Sequence, residues 1–444
     1  MPYWIKQPAE LAERLAQRPA RIGLDTEFVR ERTYWPQLAL VQMAVADEIL
    51  LIDPLIPGMP QALAPWLSDP AILKVMHSAS EDLVAFKCAC GALPRPLFDT
   101  QIGAGLAGIG AGMGYQKLVL EITGVHLAKG ETRSDWLRRP LSPAQLEYAA
   151  DDVRHLFAIH DALQQRLQAL DRSTWLHEDG ERLLGTVEHD DGERWPHLGM
   201  RAAQFMDPPS QQRLLRLLRW RDVQARHSDK PRSWILDNEL AATLARFPPD
   251  DRNALQALLD KHPKAPRKLG EALWQALTTP LPDEADAPLA LAASDDNKAA
   301  LKRLQDAVSA RSAELGLPDG LLASRKHLEA LLESGQWPQP LAGWRRRELE
   351  ATLQPLLQGW LPAHIDPAAA TVEMPPIRLG SFQAHSMHCL ISPPRFIRRE
   401  TQATAMPRIK PSPIKKARGY LAFLTDQYLT SGNFRSGWRA FHSL

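Results

Sequence analysis

The chain has 444 residues, 44% hydrophobic and 24% charged, with a net charge of +1. This is ordinary composition for a folded chain of roughly two to four domains. It excludes a generic polycation, so any nucleic-acid contact must come from local patches.

Three cysteines, Cys88, Cys90 and Cys389, lack zinc spacing and are too few for a disulfide framework, which points to a reducing, cytoplasmic setting. The N-terminal residues lack the apolar core of a signal peptide, and no run of 18 apolar residues is present. Residues 1–170 read as an α/β unit. A short amphipathic helix is predicted over Pro8–Gln17, ahead of a strand over Arg21–Phe28. Leu38–Val45 and Ile49–Asp53 are short and rich in Ile, Leu and Val, so they read as strands joined by a tight hairpin at Asp47-Glu48. Lys74–His77 is a further short strand, followed by a helix over about Ser80–Cys90. The next clear helix start is explicit: Ser142 as N-cap, Pro143 at the first helical position and Gln145 completing a capping box, with the helix running to about Leu167. This order of elements fits a mixed sheet flanked by helices.

From about residue 171 the strands disappear. A helical linker is expected over 171–207, a compact helical unit over 208–288, and a second over 295–361. Residues 363–444 cluster prolines with 11 Lys/Arg against 4 Asp/Glu, and read as a basic, Pro-rich, disordered tail.

Three acidic elements are the candidates for chemistry, and each alone also reads blandly: a solvated strand end at Asp25-Thr-Glu27, a packed Tyr148 with a surface Asp152, and an ordinary first-turn acid at Asp82. Asp25-Thr-Glu27 ends the first strand, and side chains at i and i+2 share a strand face. Two carboxylates so placed raise each other's pKa, a conflict that a divalent metal removes. Tyr148 and Asp152, at i and i+4 of the capped helix, project together. A phenol beside a metal-bound carboxylate can orient water. Asp82 falls in a first helical turn, where the helix dipole favours an anion. Its neighbour Glu81 fits the same description, and the local pattern does not choose between them. Two metal ions about 3.5–4 Å apart clamp the attacking and leaving oxygens of a phosphodiester, which requires carboxylates converging from several elements.

Together, Ile22-Gly-Leu-Asp25-Thr-Glu27-Phe28, His77-Ser-Ala-Ser-Glu-Asp82-Leu83 and Glu147-Tyr148-Ala-Ala-Asp-Asp152-Val153 resemble the three exonuclease motifs of the DEDD superfamily, in its tyrosine-bearing DEDDy branch. Further segments are similar to the ribonuclease D family: Tyr34-Trp-Pro-Gln-Leu-Ala-Leu-Val-Gln42, Leu51-Ile-Asp-Pro-Leu55, Phe98-Asp-Thr-Gln101 and Lys129-Gly-Glu-Thr-Arg133-Ser-Asp-Trp136. The resemblance covers about residues 5–360 and is strongest before 170. Residues 208–288 resemble a helicase-and-RNase-D C-terminal (HRDC) domain, through Leu217-Leu-Arg-Trp220-Arg-Asp222 and Lys230-Pro-Arg-Ser-Trp-Ile-Leu-Asp237. Residues 295–361 are a weaker match to a second.

The resemblance implies an α/β RNase H-like exonuclease domain over 1–170 (a mixed sheet flanked by helices), followed by all-α HRDC-type domains. It implies a 3′→5′ exoribonuclease that releases 5′-mononucleotides, with two Mg²⁺ or Mn²⁺ ions per site and tRNA precursors or other structured RNA 3′ ends as substrate. By position, Asp25 bridges both ions, Glu27 and Asp152 complete the first site, and Asp82 holds the second ion. Tyr148 positions or helps deprotonate the attacking water.

Substrate contacts are expected from Gln42, Lys129, Arg133, Trp136, Arg216 and Trp220. Lys129, Arg133, Arg138 and Arg139 precede the catalytic helix and either contact phosphates or form a solvated loop. Trp35 and Trp136 either stack on bases or pack internally. Arg213, Arg216 and Trp220 share one helical stripe, either an RNA-backbone patch or a solvated face. Gly103-Ala-Gly-Leu-Ala-Gly108 has a dinucleotide-loop pattern, but its context suits a helix packed on the sheet. The expected protein is a cytoplasmic monomer with no membrane span. The alternatives are a DNA-directed exonuclease, since this chemistry does not read the 2′-hydroxyl, and an RNA-binding scaffold with weak nuclease activity.

Overall fold

The computed structural model describes residues 2–358, apart from 129, 132, 133, 191, 292–294 and 319. The expected tail and the candidate contacts Lys129 and Arg133 lie outside the described residues.

Six strands form one mixed sheet in the order β1-β4-β3-β2-β5-β6. They are β1 (Tyr3–Ile5), β2 (Arg21–Val29), β3 (Gln37–Val45), β4 (Glu48–Ile52), β5 (Leu73–Met76) and β6 (Leu97–Asp99). β2, β3 and β4 run antiparallel in sequence, while β1 adds parallel to β4, β5 to β2 and β6 to β5. The short β1 and β6 are additional to the strands expected from the sequence. Three residues each give too little periodicity to read.

Helices α1 (Pro8–Arg14), α2 (Met59–Ser68) and α3 (Ser80–Cys90) cover one face of the sheet. Helices α4 (Thr100–Leu106), α5 (Tyr115–Thr123), α6 (Pro143–Arg154) and α7 (Leu156–Ala169) contribute to the core on the other. α8 (Ser173–Glu188) closes the unit, with Leu184 and Val187 in the first core and Leu176 in the second. The alternation of β2 sets this division. Ile22 and Leu24 join the core beneath α1–α3, so Gly23, Asp25 and Glu27 face the opposite way. Gly23 allows close approach there: a Cβ would lie 3.2 Å from both Ala44 Cβ and Leu156 Cδ1. Gly103 and Gly105 lie inside α4, whose N-cap is Asp99, against Leu163 and Leu321. They form packing surface rather than a phosphate loop.

The helix expected to run from Ser142 to Leu167 is two helices. Its start matches, with the Ser142–Gln145 capping box formed and Pro143 at the first position. The break falls at His155, and its cause is a side chain distant in sequence. The Tyr115 hydroxyl donates to Asp151 O at 3.1 Å and accepts from His155 N at 3.2 Å. Those two groups would otherwise bond each other in the i→i−4 ladder, and an inserted polar group is a recognised cause of a kink.

α9 (Pro208–Ser228), α10 (Arg232–Ile235), α11 (Asn238–Arg246), α12 (Arg252–Lys261) and α13 (Gly270–Thr278) enclose a core of their own. α14 (Asp295–Glu314), α15 (Arg325–Ser334) and α16 (Trp344–Gln358) behave differently. Their Leu304, Leu328, Trp344 and Leu349 are continuous with the α4–α7 core. Trp344 stacks on Trp175 at 4.3 Å, and the buried Arg345 guanidinium pairs with both oxygens of buried Asp179.

Candidate active site

Asp25 and Glu27 lie on the β2 face that looks toward α6, and Asp152 descends from α6. One ligand oxygen from each of these three carboxylates lies within 4.8 Å of the others, and all three residues are partly buried. Asp82 stands beside this group rather than in it. It is 8% exposed, at the first turn of α3, and accepts a hydrogen bond from Thr26 Oγ1. β5 pairs with β2 only at residues 21–23. The edge of β2 beside Asp25-Thr-Glu27 is therefore open for α3 to enter.

Asp82 and Glu81 differ in what each touches. Glu81 faces outward to an ion pair with Arg30 at 3.0 Å. Asp82 is buried, and its charge bears directly on Asp25. The turn before α3 is held from β6. Asp99 accepts from Ser78 N (3.2 Å) and Ala79 N (2.8 Å) while also capping α4 through Gln101 N and Ile102 N. Thr100 Oγ1 meets His77 Nδ1 at 2.9 Å. Thr26, Asp99 and His77 are site-building residues that sequence reasoning did not single out. Thr26 and His77 lie within the acidic motifs and Asp99 within the family-like segment Phe98–Gln101, but the sequence pattern assigns no role to any of them.

Burial and mutual repulsion dominate the electrostatics. Asp25 is pushed well above the ordinary carboxylate range by burial, then by the charges of Asp82, Asp152 and Glu27. Glu27 is raised to about 9 by burial, then by Asp152 and Asp82. Burial lifts Asp82 and Asp152 to about 7, with Asp151 adding to the effect on Asp152. The Tyr148 phenol is also raised, by burial and then by Asp152, Glu27 and Asp25. One oxygen of Asp152, Oδ2, is buried without a hydrogen-bond partner. Clustered carboxylates with an unsatisfied buried oxygen fit a hard divalent cation, for which oxygen ligands are the preferred set.

Two groups frame Tyr148. Trp136 lies 6.0 Å away, centroid to centroid. Gly130 is so close that a Cβ there would sit 1.8 Å from Tyr148 Cδ2. Gln42 is the register partner of Asp25 across the β2–β3 pair. It is fully buried, and neither amide atom has a hydrogen-bond partner.

The other expected substrate contacts fare differently. Trp136 is 3% exposed and packs with Leu40, Leu141 and Ala149, so it offers no face to a base. Arg139 is tied to Asp53 and to the carbonyls of Ala39 and Trp136. Arg216 is clamped by both oxygens of Glu284, and Arg213 donates to Ala245 O and Ser210 Oγ. Trp220 packs against the α9–α13 core, its indole nitrogen buried. The basic stripe expected to meet RNA is thus turned inward. Exposure of an Arg cannot be read from helical spacing when its partner, here Glu284, is 68 residues away. Trp35 is partly buried, and its indole donates to Arg226 O.

The family profile described as a 3'-5' exonuclease matches residues 3–168, and the HRDC domain profile matches residues 210–277. The chain is 72% identical to the ribonuclease D of Xanthomonas oryzae pv. oryzae over 359 residues, which is 81% of this chain and 99% of that protein. It is 37% identical to the ribonuclease D of Pseudomonas paraeruginosa over 374 residues, 79% of this chain and 96% of that one. Among solved structures it is similar to Escherichia coli RNase D, an exoribonuclease involved in structured RNA processing, with a TM-score of 0.70 and 31% identity. That match covers 81% of this chain and all of the other.

Proposed function

The chain belongs to the ribonuclease D family and is a 3′→5′ exoribonuclease dependent on divalent metal, and on that premise we propose how its site divides the work. Asp25, Glu27 and Asp152 would hold one divalent ion, and Asp82 with Asp25 would hold a second. Mg²⁺ and Mn²⁺ are the ions such carboxylates suit. Ions bound there supply an activated water and neutralise charge on the phosphodiester. Glu27 would also lie near the 3′-terminal hydroxyl of a bound strand.

Tyr148 acts as a donor. Its phenol is held above its ordinary pKa, so it keeps its proton at neutral pH and orients the attacking water through its O–H. Gln42, buried opposite Asp25, reaches no substrate. The product is a 5′-mononucleotide and a chain shortened by one residue.

The proposed substrates are structured RNAs with 3′ extensions, tRNA precursors among them. The support is the E. coli relative's part in structured RNA processing. We take the enzyme to be a cytoplasmic monomer. Among the described residues no helix is long and apolar enough to cross a membrane.

The observation that carries this reading is the convergence of Asp25, Glu27 and Asp152 within 4.8 Å from a strand and a helix. The test is digestion of 5′-labelled tRNA precursor by Asp25→Asn and Asp82→Asn proteins with near-UV circular dichroism matching the native protein. Each variant is expected to lose at least about 1,000-fold in rate. Native rates in either would overturn its assigned role.

A further inference from the structure

The basic stripe of α9 does not face solvent, which leaves open where the 5′ part of a bound RNA strand lies. The junction between the exonuclease and HRDC units has the needed chemistry. The β2–β3 loop, residues 30–36, leaves the strand that carries Asp25 and Glu27 and docks on the C-terminal end of α9. The Asp229 carboxylate accepts from Tyr34 N and Trp35 N, both at 2.9 Å. The Tyr34 hydroxyl donates to Asp222 at 3.1 Å and accepts from Arg232 at 2.9 Å. Tyr34, Ala225 and Ile235 seal the contact.

Beside this fixed joint stands Trp234, 52% exposed. Tryptophan is highly buried on average, so half an indole left in water calls for an explanation. The Arg32 guanidinium, from the exonuclease loop, lies 6.0 Å from its ring centroid. Arg32 is exposed and has no ion pair or side-chain hydrogen bond among the described residues, and the same holds for Lys230, four residues before Trp234. By contrast, Arg213, Arg216, Arg219, Arg221 and Arg226 of α9 are all tied to internal partners. The pair sits at the acid end of the sheet: Arg30, two residues before Arg32, is bound to Glu81 beside Asp82. Arg32 is the fifth residue after Glu27, a span of at most roughly 17 Å.

We propose that Trp234, Arg32 and Lys230 form a single-strand RNA platform in which a base several nucleotides upstream of the scissile bond stacks on Trp234 while the two cations meet backbone phosphates. This deepens the exoribonuclease reading and rests on it. Any base offers a π-face, so such a platform tolerates all sequences, as an enzyme that consumes its substrate one nucleotide at a time requires. Because the platform spans both units, HRDC docking and RNA holding depend on the same joint.

The test uses the full chain. Binding of a 5′-fluorescein single-stranded RNA 12-mer is measured in excess EDTA, and turnover of the same 12-mer and of a dinucleotide is measured with Mg²⁺. Trp234→Ala is expected to weaken 12-mer binding roughly 5- to 150-fold, with kcat and dinucleotide turnover unchanged. Trp234→Phe should retain most of the affinity. Arg32→Gln should lower the slope of log affinity against log salt by about one. Native 12-mer affinity in Trp234→Ala would overturn the platform while leaving the nuclease reading intact. So would an equal loss on the dinucleotide, which would mark a structural effect. If the native protein itself does not degrade the 12-mer, the underlying reading fails instead.

Discussion

Replacing Glu27 with Gln should stabilise the metal-free protein while abolishing its activity. In the folded chain Glu27 is raised from 4.5 to about 9, by burial first and then by Asp152 and Asp82. A carboxyl whose folded pKa is raised contributes its full stability below the unfolded pKa and loses it as pH climbs through the folded one. For Glu27 that window runs from about pH 4.5 to about 9. At pH 7 the unfolded side chain is ionised while the folded one is still protonated, a difference of roughly 3 kcal/mol. Gln has no proton to hold and is free of that cost. Urea unfolding in EDTA at pH 5, 7 and 9 is the assay. Glu27→Gln should exceed the native protein by about 3 kcal/mol at pH 7, by little at pH 5 and by more at pH 9. With Mg²⁺ in excess the order should narrow or invert, because binding rewards only the chain with its ligands intact. An equal gain at pH 5 and pH 7, or none at either, would refute the repulsion argument.

Other perturbations probe the surroundings of the acids. Gly130→Ala places a methyl where Tyr148 now stands, 1.8 Å from Cδ2. It should cut kcat about 10- to 100-fold with little change in the Mg²⁺ concentration for half-activity, since the phenol and not the carboxylates is displaced. Thr26→Val removes the hydroxyl that holds Asp82 and should raise the metal requirement about 10- to 100-fold, read from Mn²⁺ titration by calorimetry. Arg345→Met leaves the buried Asp179 carboxylate without its main partner. Urea denaturation should show a loss of about 3–5 kcal/mol, with the α14–α16 unit loosened from the exonuclease core.

What the sequence made legible was local. Ser142, Pro143 and Gln145 specify a helix start without outside help, and the structure forms that cap as written. The i, i+2 spacing in the strand read over Arg21–Phe28 placed Asp25 and Glu27 on one face, and the i, i+4 spacing placed Tyr148 with Asp152. What it hid was set by partners far along the chain. The break at His155 comes from a hydroxyl at Tyr115, 40 residues upstream. The different surroundings of Asp82 and Glu81 come from Thr26 and Arg30, more than 50 residues before them. Arg216 looked like a free cation on a helical stripe until Glu284 folded onto it. Trp136 and Trp220 followed the commoner fate of tryptophan and packed. The α14–α16 helices looked like a separate unit because their amphipathic faces say only that something is buried. That the other side of this core belongs to α4–α8 is a tertiary fact.

In the proposed enzyme, carboxylates from β2, α3 and α6 make a metal-dependent site that removes nucleotides from an RNA 3′ end. This is tested most directly by one digestion. A 5′-labelled RNA with a 3′ trailer is incubated with the native chain and with Asp152→Asn, each in Mg²⁺ and in excess EDTA. A ladder shortening by single nucleotides from the 3′ end, with 5′-mononucleotides released, is expected only for the native chain in Mg²⁺. Undiminished shortening in EDTA or by Asp152→Asn, or cuts within the chain, would contradict it.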